Sequence, residues 1–192
     1  MSLENQSNAF TANLYVKGIP VVLNQQRLKV RQLDPRMTRR ERLDVEVALA
    51  SNDSASTLTL ADHEDDKPLL LKFVPKADKY EIVAVLRGVY GGNSLKVNPE
   101  THHLYVSNGS QGSEFSICKY GVERAVFDDL GNGPVYIQLV SELNGRPLYL
   151  AGDKGDLHFK DVNPNNTKHD AYNNEPVNFV IKIVGKPGEE RA

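Results

Sequence analysis

The stretch that decides the fold class is residues 135–151, which read VYIQLVSELNGRPLYLA. Apolar and polar residues alternate along much of it, and the Asn144-Gly145 pair interrupts the pattern. Asn-Gly between alternating segments is a strong short-range signal of a hairpin turn. The stretch therefore predicts antiparallel strands at 135–140 and 148–151.

Two earlier stretches repeat this arrangement of a strand followed by a second strand that carries a leucine. The first strands of the three pairs begin at Val45, Tyr80 and Val135, and the second strands contain Leu58, Leu95 and Leu148. The second and third units close with F-x-I, at 115–117 and 179–181. About twelve strands in three similar units predict an all-β fold, a β-trefoil formed by a closed barrel with a hairpin cap. A β-sandwich or another barrel stays open, because any chain of alternating strands gives similar offsets.

The first 42 residues lie outside these units. We predict an N-terminal extension or pro-segment over 1–42 and a β-trefoil domain over 43–192. The runs 14–16, 20–23 and 28–30 are either extra strands or parts of a loosely packed precursor segment. The boundary carries four arginines in the seven positions 36–42, which indicates either a solvated loop or a protease-accessible linker.

Composition excludes several classes of partner. The chain has 23 Lys+Arg against 25 Asp+Glu, a net charge of -2, whereas nucleic-acid binders are strongly basic. Cys118 is the only cysteine, so no internal disulfide can form, as is typical of a reducing compartment. The N-terminus resembles no signal peptide, and no apolar run is long enough to cross a membrane. We expect a monomer that binds no nucleic acid and inserts into no membrane.

The sequence contains no motif of a catalytic or cofactor site: no G-x-S-x-G, no phosphate-binding glycine loop and no H-E-x-x-H. His102-His103 is a poor metal pair, because neighbours on a strand point to opposite faces. The acidic run 62–66 lacks the spacing of a calcium loop. Cys118 is interpreted as a packing cysteine rather than a nucleophile. We therefore predict no enzyme activity, no metal and no cofactor.

The last third of the chain resembles the interleukin-1 cytokine family. The family's signature has a serine in a strand, a short turn and then aromatic-Leu/Ile-small, and here Ser141, the turn 142–148 and 149–151 (YLA) keep that order. Upstream, 124–127 and the turn 131–134 are similar to the preceding strand and turn, and 179–181 resembles the closing strand. The resemblance covers about 43–184, and the layout is most similar to the interleukin-18 branch.

The resemblance implies a cytoplasmic precursor that is secreted without a signal peptide, loses an N-terminal pro-segment and binds the immunoglobulin-like ectodomain of a receptor. Cleavage after Asp44 is one candidate for processing, and cleavage at Arg39 or Arg40 is the rival. Interfaces depend on a few aromatic and arginine anchors. The candidate partner-binding residues, all in predicted turns, are Arg87, Tyr90, Arg146 and Tyr172.

Two other functions stay open for a trefoil with this sequence. One is a protease inhibitor, in which Arg36, Arg39 or Arg40 would enter the acidic pocket of a trypsin-like protease. The other is a carbohydrate-binding trefoil, although the chain has no tryptophan for the Q-x-W repeats of the ricin-like class.

Overall fold

The computed structural model describes residues 8–107, 112–152, 157–162 and 175–189. Within them the chain forms fourteen strands and four helices. The strands are β1 (Phe10–Val16), β2 (Ile19–Leu23), β3 (Leu58–Leu60), β4 (Leu70–Lys76), β5 (Lys79–Val85), β6 (Ser94–Val97), β7 (Leu104–Ser107), β8 (Glu114–Lys119), β9 (Val122–Ala125), β10 (Val135–Ser141), β11 (Arg146–Pro147), β12 (Tyr149–Ala151), β13 (His158–Lys160) and β14 (Phe179–Gly185). The helices are α1 (Asn24–Gln32), α2 (Arg39–Ala50), α3 (Asn52–Ala55) and α4 (Phe127–Leu130).

Six of the strands close a barrel, which confirms the predicted all-β barrel architecture. The antiparallel pairs run from β1 to β4, β5, β8, β10 and β14, and β14 pairs back with β1. Alternate residues of each strand face inward, as in β5, where Tyr80, Ile82 and Ala84 are buried. Closure leaves these six strands with no free edge.

Aromatic side chains fill the barrel interior. The ring of Phe10 stacks on Phe73 with centroids 4.9 Å apart and meets the edge of Tyr80 at 5.6 Å. Phe127, from α4, packs against the same ring at 5.2 Å. The first barrel strand therefore supplies a central residue of the core.

Three hairpins, β2–β3, β6–β7 and β12–β13, cover one end of the barrel and touch one another. Isolated bridges join Thr57 to Tyr105 and His103 to Lys160, and the Thr59 hydroxyl donates a hydrogen bond to the carbonyl oxygen of Leu157. Each hairpin is thereby tied to the other two.

The predicted division at residue 42 is wrong, because the barrel includes the segment assigned to the extension. β1 pairs with β14 from Thr11 to Tyr15 and with β4 from Phe10 to Ala12. In FTANLYV every second residue, from Phe10 to Val16, is buried. Residues 10–23 are thus part of the barrel and its cap, and removing 1–42 would take away both β1 and β2.

The strand predicted to begin at Val45 is also wrong, and the run 28–30 is not the extra strand offered as one alternative, since both segments are helical. They belong to a helical insert, residues 24–55, which interrupts the hairpin between Leu23 and its partner Leu58. The apolar residues at 43, 45 and 47 alternate like those of a strand. A capping box at the start of the second segment favours a helix instead of a strand. Thr38 accepts a hydrogen bond from the Glu41 amide, and Glu41 accepts one from the Thr38 amide at 2.7 Å.

No helix in the described parts of the chain has the length and apolar character that a membrane crossing requires.

Candidate functional site

The predicted processing residues lie on a helix and not in an extended linker. Arg39 and Arg40 are the first residues of α2, Asp44 lies one turn later, and all three are exposed. A protease must unfold this turn locally before it can cleave there. An inhibitor loop has to present extended backbone, so Arg39 and Arg40 do not support the inhibitor hypothesis; Arg36 lies in the connection before α2, where it is paired with Asp34.

The structure does not bring the predicted partner-binding residues together. Arg87 is exposed in the loop after β5, and Arg146 is exposed on β11. Tyr90 was predicted to be exposed, and this is wrong: only 7% of it is accessible, and its hydroxyl lies 3.3 Å from Asn52 Oδ1. Tyr90 is a core residue that packs beneath the helical insert. Tyr172 lies outside the described residues.

A wide depression formed by described residues is a groove on the helical insert, which we call the insert groove. It has a volume of about 980 Å³. Its walls are the end of α1, the connection 33–37, one side of α2 and residues 62–63. Val30, Leu33, Met37 and Val45 supply apolar surface, and Leu33 is 82% exposed. Most of the exposed apolar surface in the groove therefore comes from Leu33 and Val30, since Val45 is buried.

Carboxylates and arginines surround this apolar surface. Asp34 is paired with Arg36 at 3.2 Å, and Glu41 is held in the capping box of α2. The side chain of Asp44 has no ion pair or hydrogen bond with another described residue. The groove therefore combines an apolar floor with one carboxylate that is free to receive a cationic or hydrogen-bonding group.

A polar anchor fixes the insert to the barrel cap. Arg31 donates to both oxygens of Asp62, at 2.6 and 2.9 Å, and the Arg27 guanidinium approaches the same carboxylate at 4.0 Å. Arg27 also donates to Asn24 Oδ1, and the Asn24 amide donates to the Ser54 carbonyl oxygen at 3.0 Å. α1 is thereby joined both to the end of β3 and to α3.

The charge of Asp62 is stabilised by this anchor. Burial opposes its ionisation, but the hydrogen bond from Arg31 and the charges of Arg31 and Arg27 outweigh that effect. The pKa of the carboxyl consequently lies below its ordinary value. Sequence analysis considered Asp62 only as part of an acidic run, because nothing in the sequence showed that two arginines of α1 would face it.

A second polar cluster, the His102 junction, lies where the second and third cap hairpins meet. One oxygen of the fully buried Asp161 carboxylate lies 3.0 Å from His102 Nδ1, and the other accepts a hydrogen bond from the Asn144 side-chain amide at 2.7 Å. His102 has a φ of 62°, which is rare for a residue with a side chain. The rings of His103 and His158 pack beside the junction, with centroids 4.2 Å apart.

The His102 junction resembles the base and orienting carboxylate of a hydrolase, but such a reaction also needs a nucleophile within reach of the ring. The polar contacts of the His102 ring in the described structure are with Asp161 and Asn144. The described residues hold no group of three or more His, Cys, Asp or Glu side chains placed to bind a metal ion. Among the described residues, this cluster joins three loops, through His102, Asn144 and Asp161, and no nucleophile contacts the His102 ring.

Cys118, near the end of β8, is half-buried. Burial raises the pKa of its thiol, and the charges of Glu123 and Glu142 raise it further against a smaller opposing effect of Arg124. The thiol donates to the Glu123 carbonyl oxygen at 2.9 Å. These contacts favour the protonated thiol, which is a poor nucleophile.

No family model matches the chain, and no curated protein or solved structure matches it either.

Proposed function

We propose that this protein is a non-catalytic ligand that binds the immunoglobulin-like ectodomain of a receptor, with the helical insert as the main contact surface. The observation that carries the proposal is the apolar surface of the insert groove, where Leu33 is 82% exposed beside Val30, Met37 and Val45. Protein interfaces commonly combine apolar contact residues with a polar rim, and an exposed leucine among charged groove residues supports that role for the insert.

The strand order supports the narrower proposal that the barrel is a β-trefoil. Three successive units, β1–β4, β5–β8 and β10–β14, each give their first and last strand to the barrel and a hairpin to the cap. Side chains fill the barrel interior, so a partner has to bind to the outer surface, the cap or the loops.

The positions of the signature residues support the cytokine form of the proposal in the third unit. Ser141 ends β10, residues 149–151 form β12, and residues 179–181 begin the last barrel strand. The front of the chain does not follow the family pattern, since β1 lies at 10–16 and residues 39–50 are helical. The support therefore comes from the second half of the chain and from the insert groove.

Surface plasmon resonance against a panel of interleukin-1-family receptor ectodomains tests the proposal. We expect the wild-type chain to bind at least one ectodomain and Leu33→Asp to lose most of that binding. Val89→Asp is the matched control, because Val89 is an equally exposed apolar residue (77%) on a barrel loop. If no ectodomain binds the wild-type chain, the receptor proposal is refuted. If both variants lose binding equally, the contact lies outside the insert.

A further inference from the structure

The outer face of α2, opposite the insert groove, carries exposed apolar residues that the fold leaves uncovered. Leu43 is 55% exposed and Val47 is 71% exposed, and they are four residues apart. Residues at this spacing lie one above the other on a helix. They form a short apolar strip, which is bordered by Arg39, Arg40 and Glu46.

The charges on this face are arranged against the preference of an isolated helix. Arg39 and Arg40 occupy the first turn, where the helix dipole favours acidic residues, and the last turn has no basic residue. Arg42 is accounted for, because its guanidinium donates to the carbonyl oxygens of Gln32 and Asp34. Among the described residues, Arg39, Arg40, Asp44 and Glu46 have no ion pair with one another or with the rest of the chain.

The same charges are complementary when two copies of α2 lie antiparallel. With a twofold axis beside Leu43, the geometry of paired helices places Arg39 opposite Glu46 of the other copy on one edge. Leu43 of each copy then meets its equivalent beside the axis, and Val47 lies at the level of residue 39 of the other copy. A parallel arrangement would instead bring opposite edges together and set Arg39 beside Arg40 of the other copy.

We propose that the outer face of α2 binds a second copy of this chain, through an antiparallel α2–α2 contact. This inference is independent of the proposed receptor, and it differs from the monomer expected from sequence. The contact is small: a helix of 12 residues offers less than the roughly 800 Å² per partner of a standard interface. The dimer is therefore weak and forms at high protein concentration.

Sedimentation velocity of the full chain, from low micromolar to near-millimolar concentration, tests the contact. We expect the average mass to rise toward that of a dimer for the wild type. Arg39→Glu alone and Glu46→Arg alone each place like charges opposite one another, so each is expected to weaken association at least several-fold. The two single variants mixed in equal amounts, and the double variant, regain opposite charges and are expected to associate as the wild type does.

Two controls separate loss of the contact from loss of the fold. Arg39→Glu places an acid in the first turn of α2, so its thermal midpoint is expected to equal or exceed that of the wild type even as association falls. Arg146→Glu makes the same charge change on an exposed barrel residue and is expected to leave association unchanged. A wild type that is monomeric throughout would overturn the proposal, and so would single variants that associate like the wild type or a mixture that fails to associate.

Discussion

At His102 the chain holds a residue with a side chain in left-handed backbone, while the fully buried Asp161 carboxylate fixes its ring at 3.0 Å. The amide of His102 donates to the Asn98 carbonyl oxygen at 2.8 Å, which keeps the backbone in that conformation. Unfavourable backbone of this kind persists only where the surroundings determine it. The free-energy cost of the left-handed backbone and the contribution of the His102 ring to stability can therefore be measured separately.

Two substitutions at His102 separate them. His102→Ala removes the partner of a buried carboxylate and keeps the unfavourable backbone, so we expect the free energy of unfolding to fall by about 2 kcal/mol. His102→Gly removes the same ring but adopts the left-handed region freely, so it should be about 1 kcal/mol more stable than the alanine variant. Urea denaturation measures both. A glycine variant no more stable than the alanine variant would show that φ at this position relaxes.

Cys118 is expected to react slowly with iodoacetamide at neutral pH, because its raised pKa keeps the thiol protonated. The rate should be several-fold below that of the same chain unfolded in guanidinium. A matched control is the Cys118→Ser, Tyr120→Cys double variant, since Tyr120 is fully exposed two residues away. Mass spectrometry over time follows both thiols, and equal rates would contradict the protected environment described for Cys118.

Among the elements, α2 is one in which the sequence pattern and the structure disagree. The apolar residues at 43, 45 and 47 alternate with Asp44 and Glu46, which is a strand period, yet the segment is helical. Thr38 and Glu41 provide a helix start signal that was present in the sequence and was outweighed by the alternation. The barrel strands from β4 to β8 and in the third unit were largely predictable, because alternation there coincides with true inward and outward faces.

The anchor between α1 and β3 is expected to respond to acid. Because the pKa of Asp62 is lowered in the folded state, its stabilising effect is present above the ordinary value near 3.8 and is lost as pH falls through the folded value. Asp62→Asn should therefore cost about 1–2 kcal/mol at neutral pH and lose less stability than the wild type on acidification. Asp65→Asn, on the same loop, is the control. If the unfolding free energies of the wild type and Asp62→Asn change in parallel with pH, Asp62 does not stabilise the fold through this anchor.

At the scale of the whole molecule, the closed barrel depends on strands from both ends of the described chain. β1 is the partner of both β4 and β14, so it completes the barrel between the first and third units. The sequence predicts three units and begins the first at residue 45, because residues 24–57 separate β2 from its partner β3 and hide the spacing of this hairpin. The insert groove was unpredictable for the same reason, since it forms only when α1 and α2 fold back against each other.

Two deletions of comparable size distinguish a barrel that begins at β1 from one that begins after a removable segment. Removing residues 1–42 takes away Phe10, whose ring stacks on Phe73, and leaves β4 and β14 without a partner between them. We expect this chain to be unfolded or aggregated by circular dichroism and size-exclusion chromatography, because unpaired barrel edges associate. Replacing residues 24–57 with Asn-Gly should leave a folded barrel of lower stability, since Leu23 and Leu58 are direct strand partners and a two-residue turn can join them. A truncated chain that folds cooperatively would place the start of the domain after residue 42. An insert-replaced chain that fails to fold would show that the barrel requires the insert.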